Sequence, residues 1–252
     1  MPIVVEQHGT HVVVVTIDNQ AKRNAMSRAM LADMAELWQR LEGDAACRAI
    51  VVTGAGDKAF NAGADISGDL SASEETAAMI NRALLKTVPY SKPVIAAVNG
   101  VCAGGGVELL LASDIRLAAP HARFGLPEVK WAIYPFGGAA AKLIHQIGHV
   151  HAMKLLLTAE MIDAAEAARI GLINEVVPAD ALLPRALETA ETIAANSPMA
   201  VQAVKRHIST GIADLARAGE PREQTLGDAV RASADFEEGI AAFREKRQPH
   251  YG

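Results

Sequence analysis

Hydrophobic residues near the start of the chain occur in short β-branched runs, and further on they recur with helical spacing. The runs IVVEQ and HVVVVTID are separated by His8-Gly9-Thr10, a short turn that favours a β-hairpin. Between Ser27 and Leu41 apolar residues follow one another at helical intervals, and Ser27 is a suitable N-cap. The pattern therefore predicts two paired strands followed by a helix.

Downstream, strand-like and helix-like segments alternate, which is typical of an α/β fold. The predicted strands are RAIVVTG, PVIAAVNG, SDIRLAAP and LINEVV, and the predicted helices are SASEETAAMINRALLKTV, GGAAAKLIHQI and HAMKLLLTA. From Asp180 onward the chain is Ala-rich and helical, with interruptions predicted near Ser197-Pro198 and Gly219-Glu220-Pro221. The change in composition near residue 195 predicts an α/β region over 1–195 and a helical C-terminal region over 196–252.

Composition narrows the class of protein. The chain has 252 residues, of which 50% are hydrophobic and 21% charged, so it can bury a large core. Its net charge of -5 and the lack of a basic stripe argue against nucleic acid as a partner. No apolar run reaches the roughly 20 residues of a membrane helix, so no membrane is expected. With only Cys47 and Cys102 and no secretory signal pattern, we expect a reducing compartment, the cytoplasm.

Two short motifs resemble sites of other chemistry. GAGDKA at 54–59 has the local spacing of a dinucleotide-binding fingerprint, which keeps an NAD-dependent oxidoreductase as an alternative. The fingerprint should open a helix, whereas residues 60–65 contain two small turns, so we interpret the segment as a loop. HQIGH at 145–149 resembles a zinc motif but has Gln146 in place of the general-base glutamate. We therefore expect no metal site.

Two glycine-containing turns, KAFNAGADI at 58–66 and VCAGGGVELLL at 101–111, each follow a buried strand. The second leads into a helix, whose first turn exposes backbone N–H groups without partners. Two such amides that converge on one oxygen form an oxyanion hole, which stabilises an enolate or a tetrahedral intermediate.

Two glutamates accompany these turns. Glu108 lies directly before three leucines, and Glu128 follows Pro127 and precedes the pair Gly137-Gly138. Paired carboxylates can share acid and base work, because burial and mutual repulsion raise at least one of their pKa values. Glu108 and Glu128 are therefore the candidate catalytic side chains.

The segments AFNAGADI, KPVIAAVNGVCAGGGVELLLASDIRLAA and FGLPEVK, together with KRNAMS, GLINEVVP and DFEEGIAAFREKR, resemble the crotonase, or enoyl-CoA hydratase/isomerase, superfamily over nearly the whole chain. The resemblance implies a superhelix of repeated ββα units with a helical C-terminal region that builds a homotrimer, often paired into a hexamer. It also implies that coenzyme A is part of the substrate and that no separate cofactor is needed.

The resemblance assigns roles to residues of this chain. It gives the oxyanion-hole amides to Ala64 and Gly105, and it implies that Glu108 deprotonates the attacking water while Glu128 manages the proton at C2. The residues implied to bind coenzyme A are Lys22, Arg23, Ala62, Ala64, Asp65, Ile66 and Lys246.

One position departs from the family pattern. Phe136 stands where hydratases of this family usually have a glycine near the water site. Its ring and that of Trp131 are expected to narrow or reshape the acyl pocket.

Because both glutamates are present, the sequence favours an enoyl-CoA hydratase acting on a trans-2-enoyl-CoA. The alternatives are an isomerase or another acyl-CoA lyase of the same fold, a non-catalytic CoA-ester-binding protein, and the NAD-dependent oxidoreductase.

Overall fold

The computed structural model describes residues 2–64 and 74–252. Of the predicted site residues, Asp65 and Ile66 lie outside this range, as do the first three residues of the helix predicted to start at Ser71. None of the helices within these two ranges is long and apolar enough to cross a membrane.

The larger sheet has six strands, in the order β1-β2-β3-β5-β7-β10. β1 and β2 form the predicted antiparallel hairpin, and every later neighbour pairs in parallel. The strands are β1 Ile3–His8, β2 Val12–Ile17, β3 Ala49–Gly54, β5 Val94–Val98, β7 Ile115–Ala118 and β10 Glu175–Val176. All the predicted strands are therefore present, although the segment LINEVV contributes only two residues.

A second sheet runs in the order β4-β6-β8-β9. Its strands are β4 Ala59–Asn61, β6 Val101–Ala103, β8 Arg123–Gly125 and β9 Ile162–Asp163. β4, β6 and β8 are parallel to one another. Three successive units each consist of one strand of the larger sheet, one strand of the smaller sheet and a helix. The smaller sheet was missed in the sequence because strands of two or three residues are too short to show a period.

The larger sheet is buried on both faces, as parallel sheets are. Alternate residues of β2 point to opposite sides, so that Val13 and Val15 join the main core whereas Val12 and Val14 join a second cluster. α7 covers this second face with small residues, among them Ala186. The helices are α1 Arg28–Gly43, α2 Glu74–Ala83, α3 Gly105–Ala112, α4 Ala139–Ile147, α5 His149–Thr158, α6 Ala164–Arg169, α7 Leu182–Ala195, α8 Pro198–Arg231 and α9 Ala234–Glu245.

The end of α2 differs from the prediction, which extended this helix to Val88. The helix ends at Ala83, and Leu85 has a positive φ of 48°. Lys86 N–H donates to Asn81 O, and Leu85 N–H donates to Arg82 O, which together form a Schellman cap. A leucine in this left-handed region costs about 1–2 kcal/mol. The cap turns the chain sharply and directs Lys86 inward.

The predicted interruption at 219–221 is also wrong, since α8 continues through Pro221. A proline removes one backbone hydrogen bond from a helix. Here the helix is held on both sides of Pro221: Ala216 lies against Gly138, and Gly227 lies against the ring of Phe136. The other predicted interruption, at Ser197-Pro198, is confirmed because α7 ends at Ala195 and Ser197 caps α8.

Candidate active site

The predicted site residues follow the strands of the smaller sheet. Ala62, Gly63 and Ala64 come after β4, Gly104 and Gly105 come after β6, and Pro127 and Glu128 come shortly after β8. Because parallel strands end at the same edge of a sheet, these three loops meet there.

The first two loops approach each other closely. A Cβ on Gly105 would lie 3.6 Å from Gly63 Cα, and one on Gly63 would lie 3.5 Å from Gly105 N. Gly104 has φ 53° and ψ -120°, a conformation that favours glycine. A Cβ on Gly106 would overlap the carbonyl oxygen of Asn61. The glycine triplet therefore allows α3 to start directly against β4.

Two backbone amides at this junction are available to a ligand. Among the described residues, neither Ala64 N–H nor Gly105 N–H has a hydrogen-bond partner. Their neighbours are engaged: Gly63 N–H donates to Asn61 Oδ1 at 2.7 Å, and Met26 N–H donates to Gly63 O at 2.9 Å. The fixed Gly63 peptide thus leaves Ala64 exposed beside the first turn of α3.

Glu108 projects from the first turn of α3 and is buried. Its Oε1 accepts a hydrogen bond from Lys86 Nζ at 2.8 Å, in an ion pair whose side chains are 7% and 10% exposed. Its Oε2 lies on the side of Gly105, 3.7 Å from the position of a Cβ there. One oxygen is therefore engaged by the lysine, and the other lies beside the turn that contains Gly105.

Glu128 lies in a 3₁₀ turn, Pro127–Trp131, on the other side of the glycine turn. Its Oε1 is 3.3 Å from the position of a Cβ on Gly104. Its Oε2 is buried and has no hydrogen-bond partner in the part of the chain that the structure describes. Burial, together with the negative charge of Glu108, raises the pKa of Glu128 to about 7, although Lys86 acts in the opposite direction. The two glutamates thus flank one glycine turn in different electrostatic environments.

Lys86 was missed by the sequence reasoning. It lies outside the glycine motifs, in a segment predicted to be helical, and only the left-handed Leu85 brings it to Glu108. A sequence offers no signal for such a cap when the residue is a leucine rather than a glycine.

The turn at Gly137-Gly138 closes the site on the side of α4. Its backbone supports Lys86, because a Cβ on Gly137 would lie 2.5 Å from Lys86 Cδ. Gly138 N–H donates to Glu223 Oε2 of α8 at 3.1 Å. Burial raises the pKa of Glu223, and the backbone N–H groups of this turn oppose the increase. The long C-terminal helix is thereby bonded to the active-site turn.

The two predicted pocket residues both pack on the C-terminal helices. Trp131 meets the ring of Phe243 of α9 edge-to-face, with centroids 5.1 Å apart. Phe136 meets Tyr134 at 5.3 Å and lies under the guanidinium of Arg231, 4.6 Å away. That these rings border the acyl group stays a prediction.

The predicted coenzyme A residues fall into two groups. Lys22 and Arg23 are exposed in and beside a 3₁₀ turn, and Arg23 O accepts a hydrogen bond from Ala62 N–H at 3.1 Å, so they adjoin the Ala62–Ala64 loop. Lys246 is exposed at the end of α9, where it caps the helix with a φ of 56°. Their contacts with coenzyme A stay predictions.

The two motifs that resemble a dinucleotide site and a zinc site lack the structure that those sites need. GAGDKA leads from β3 into β4 rather than into a helix, so the dinucleotide fingerprint lacks the helix N-terminus that would hold a pyrophosphate. His145 and His149 lie on separate helices, and no group of three metal-ligating side chains occurs within 2–64 and 74–252.

Comparisons with known proteins agree with this geometry. The model of the enoyl-CoA hydratase/isomerase family matches residues 7–252. An enoyl-CoA hydratase of Mycobacterium tuberculosis is 41% identical, over 98% of this chain and 95% of its own length. The (E)-benzylidenesuccinyl-CoA hydratase of Thauera aromatica is 38% identical, over 100% of this chain and 99% of its own. A solved carnitinyl-CoA dehydratase from Mycobacterium avium has a TM-score of 0.89 and 38% identity, over 99% of this chain and 98% of its own.

The chain therefore belongs to the enoyl-CoA hydratase/isomerase family. Its fold is the crotonase fold that the sequence motifs predicted, with repeated ββα units and a helical C-terminal part.

Proposed function

We propose that the protein is an enoyl-CoA hydratase, which adds water across the double bond of a trans-2-enoyl-CoA to give a 3-hydroxyacyl-CoA. Several relatives that are 35–41% identical over nearly the full chain are named as hydratases. They confirm the prediction of a hydratase. The observation that carries the mechanism is the pair of glutamates on either side of one glycine turn: Glu108 is buried, Glu128 is half-buried with a buried Oε2, and no described residue accepts a hydrogen bond from the turn amides of Ala64 and Gly105.

The amides of Ala64 and Gly105 receive the thioester carbonyl oxygen of the substrate. Attack at C3 moves electrons towards this oxygen, and an enolate develops there. Donors that are already oriented stabilise this charge without reorganisation, and each is typically worth roughly 2.7–4 kcal/mol.

The two glutamates move the protons. Glu108 Oε2 takes a proton from water as the oxygen bonds to C3, and protonated Glu128 gives its proton to C2. The pair holds one proton before and one proton after the reaction, so the step is balanced and reverses by the same route. A pKa of about 7 suits Glu128 to this exchange, because an acid works best when its pKa lies near the operating pH.

The substrate supplies coenzyme A, and no separate cofactor takes part. Lys22 and Arg23 meet the phosphates of coenzyme A, and Ala62 and Ala64 border its adenine and pantetheine. Support comes from the bond between Ala62 and Arg23, which joins the basic residues to the oxyanion loop. A cytoplasmic location is supported by the two cysteines, which are buried and unpaired.

The helical region over 196–252 assembles the protein as a homotrimer or hexamer, in which Lys246 reaches the coenzyme A of a neighbouring subunit. α8 exposes a series of large apolar side chains that a partner would cover: Met199 is 83% exposed, Val204 67% and Ile208 58%.

The experiment replaces each glutamate separately. Glu108→Gln and Glu128→Gln each lower kcat for crotonyl-CoA hydration by at least roughly 10²-fold, because each removes one proton-transfer group. Glu42→Gln serves as the control, since Glu42 is a partly buried glutamate that accepts the N–H of Ser91 and lies away from the glycine turn. Near-normal turnover in either active-site variant would remove that residue from the mechanism.

A further inference from the structure

Lys86 is a buried cation with a defined partner, yet the proton transfers described above do not use it. Both members of its ion pair with Glu108 are at least nine-tenths withdrawn from solvent. A buried charge is strongly unfavourable unless a partner compensates it. The fold must therefore hold these two groups together.

Several features of the fold hold Lys86 in place. Leu85 adopts a left-handed conformation immediately before it, and Leu85 O accepts a hydrogen bond from Lys142 Nζ at 3.3 Å. Thr87 O accepts one from Arg217 Nε of α8 at 3.2 Å. Gly137 leaves just enough room for the stem of the lysine. Backbone strain of this kind persists only where the surroundings enforce it, and it is concentrated at functional sites.

We propose that Lys86 is a positioning residue of the hydration reaction: its ammonium fixes Glu108 Oε1, directs Glu108 Oε2 to the water and keeps the glutamate pair at a single shared proton. This inference rests on the proposed function. Without the ammonium, two carboxylates beside the same glycine turn would repel each other, and the pair would hold its proton more tightly.

Other charged groups also face this region. They are Glu128 on the 3₁₀ turn, Lys142 on α4 and Glu223 on α8, together with the ion pair of Lys205 on α8 and Asp114 after α3, which lines the same cavity as Lys86. Lys142 also interacts with the charge of Glu108, but its Nζ donates to Leu85 O at 3.3 Å. Glu223 is engaged by the N–H of Gly138. Among the described residues, Lys86 is the cation for which a direct ion pair with Glu108 is seen, so its ammonium acts on the glutamate pair at the shortest distance.

The test compares Lys86→Met with Lys86→Arg, which keeps the charge, and with Lys205→Met. The last variant removes a lysine that pairs with a different carboxylate: Lys205 Nζ lies 2.5 Å from Asp114 Oδ1. The kcat/KM for crotonyl-CoA hydration is measured across pH 5–9. In the unmodified protein we expect kcat/KM to fall above a pKa of about 7, as the shared proton is lost; this decrease is the alkaline limb of the pH profile. Hydration consumes no net proton, so we expect the same limb in the dehydration direction.

Lys86→Met moves this limb to higher pH and lowers kcat about 10²-fold, the effect of a misplaced reacting group, with little change in KM. Lys86→Arg keeps the limb at its original pH, because the charge is retained, even if the larger guanidinium lowers kcat. Lys205→Met leaves the limb unchanged. The inference is overturned if Lys86→Met keeps the original limb, or if Lys205→Met moves it equally.

A second measurement does not depend on turnover. Carboxyl carbons of glutamate are labelled with ¹³C and titrated by NMR, with Glu128→Gln used to assign the signal. The pKa of Glu128 rises in Lys86→Met and stays unchanged in Lys205→Met. If the unmodified protein has no hydratase activity but this titration behaves as stated, the proposed function fails while the pairing of Lys86 with the glutamates stands. An unmoved titration overturns the inference whatever the activity.

Discussion

Gly106 is the residue that lets α3 approach β4 closely enough to place Glu108 and the Gly105 amide. A Cβ at this position would lie less than 3.0 Å from the carbonyl oxygen of Asn61, which is closer than Cβ atoms approach other atoms in proteins. The same Cβ would also be 3.2 Å from Asn61 Cβ. Asn61 cannot yield freely, since it lies within β4 and its Oδ1 accepts the N–H of Gly63.

Two opposing effects set the expected magnitude of Gly106→Ala. Alanine is favoured over glycine in a helix interior by about 1 kcal/mol, and by less at Gly106, which lies in the first turn of α3. Overpacking costs about 1–3 kcal/mol, because the backbone must move by about 1 Å. Packing therefore wins, with a net loss of stability of up to about 3 kcal/mol. A displacement of about 1 Å at a reacting group costs about 10²-fold in rate, so the loss of kcat/KM is large.

The matched control is Gly43→Ala at the end of α1, where a Cβ would meet nothing within 4 Å. This variant gains helix propensity without a new contact and raises the free energy of unfolding by up to about 1 kcal/mol. Both variants are unfolded in urea and assayed with crotonyl-CoA. The reasoning is refuted if Gly106→Ala is as stable and as active as Gly43→Ala.

Two further predictions concern the pH dependence of stability and the assembly. A carboxyl whose pKa is raised by folding keeps its proton after the unfolded chain has lost it, so Glu128 lowers stability as the pH rises from 4.5 to about 7. Glu128→Gln therefore stabilises the protein by on the order of 3 kcal/mol at pH 8 and by much less at pH 5, measured by urea unfolding; equal gains at both values would contradict the raised pKa. Val204→Glu combined with Ile208→Glu lowers the mass found by light scattering, because both side chains are exposed on α8, whereas Val150→Glu on α5 leaves it unchanged. An unchanged mass in the double variant would place the subunit contact elsewhere.

The larger sheet and the helices could be predicted from the sequence because their apolar residues follow a clear period. β2 and α1 show this well: Ser27 accepts the N–H of Met30 as an N-cap should. Glu108 and Glu128 could be singled out because a carboxylate beside glycines and leucines is unusual in a structural role. These predictions needed only local information.

The rest could not be predicted because it depends on contacts between distant segments. Lys86 reaches Glu108 through a left-handed leucine that nothing in the local sequence requires. Pro221 remains helical because α8 packs on Gly138 and Phe136 on either side of it. In both places the tertiary structure overrides the local preference of the chain.

The residues with positive φ show how the described chain changes direction around the glutamates. Residues other than glycine rarely adopt a positive φ. Most of the positions with this conformation end a helix or a 3₁₀ turn, where a left-handed residue satisfies the last carbonyl groups: Arg23, Leu85, Ala132, Ala159 and Lys246. Ala159 caps α5, so the conformation alone does not mark a functional site. At Leu85 it matters because the next residue, Lys86, is thereby directed to Glu108 and meets its Oε1 at 2.8 Å.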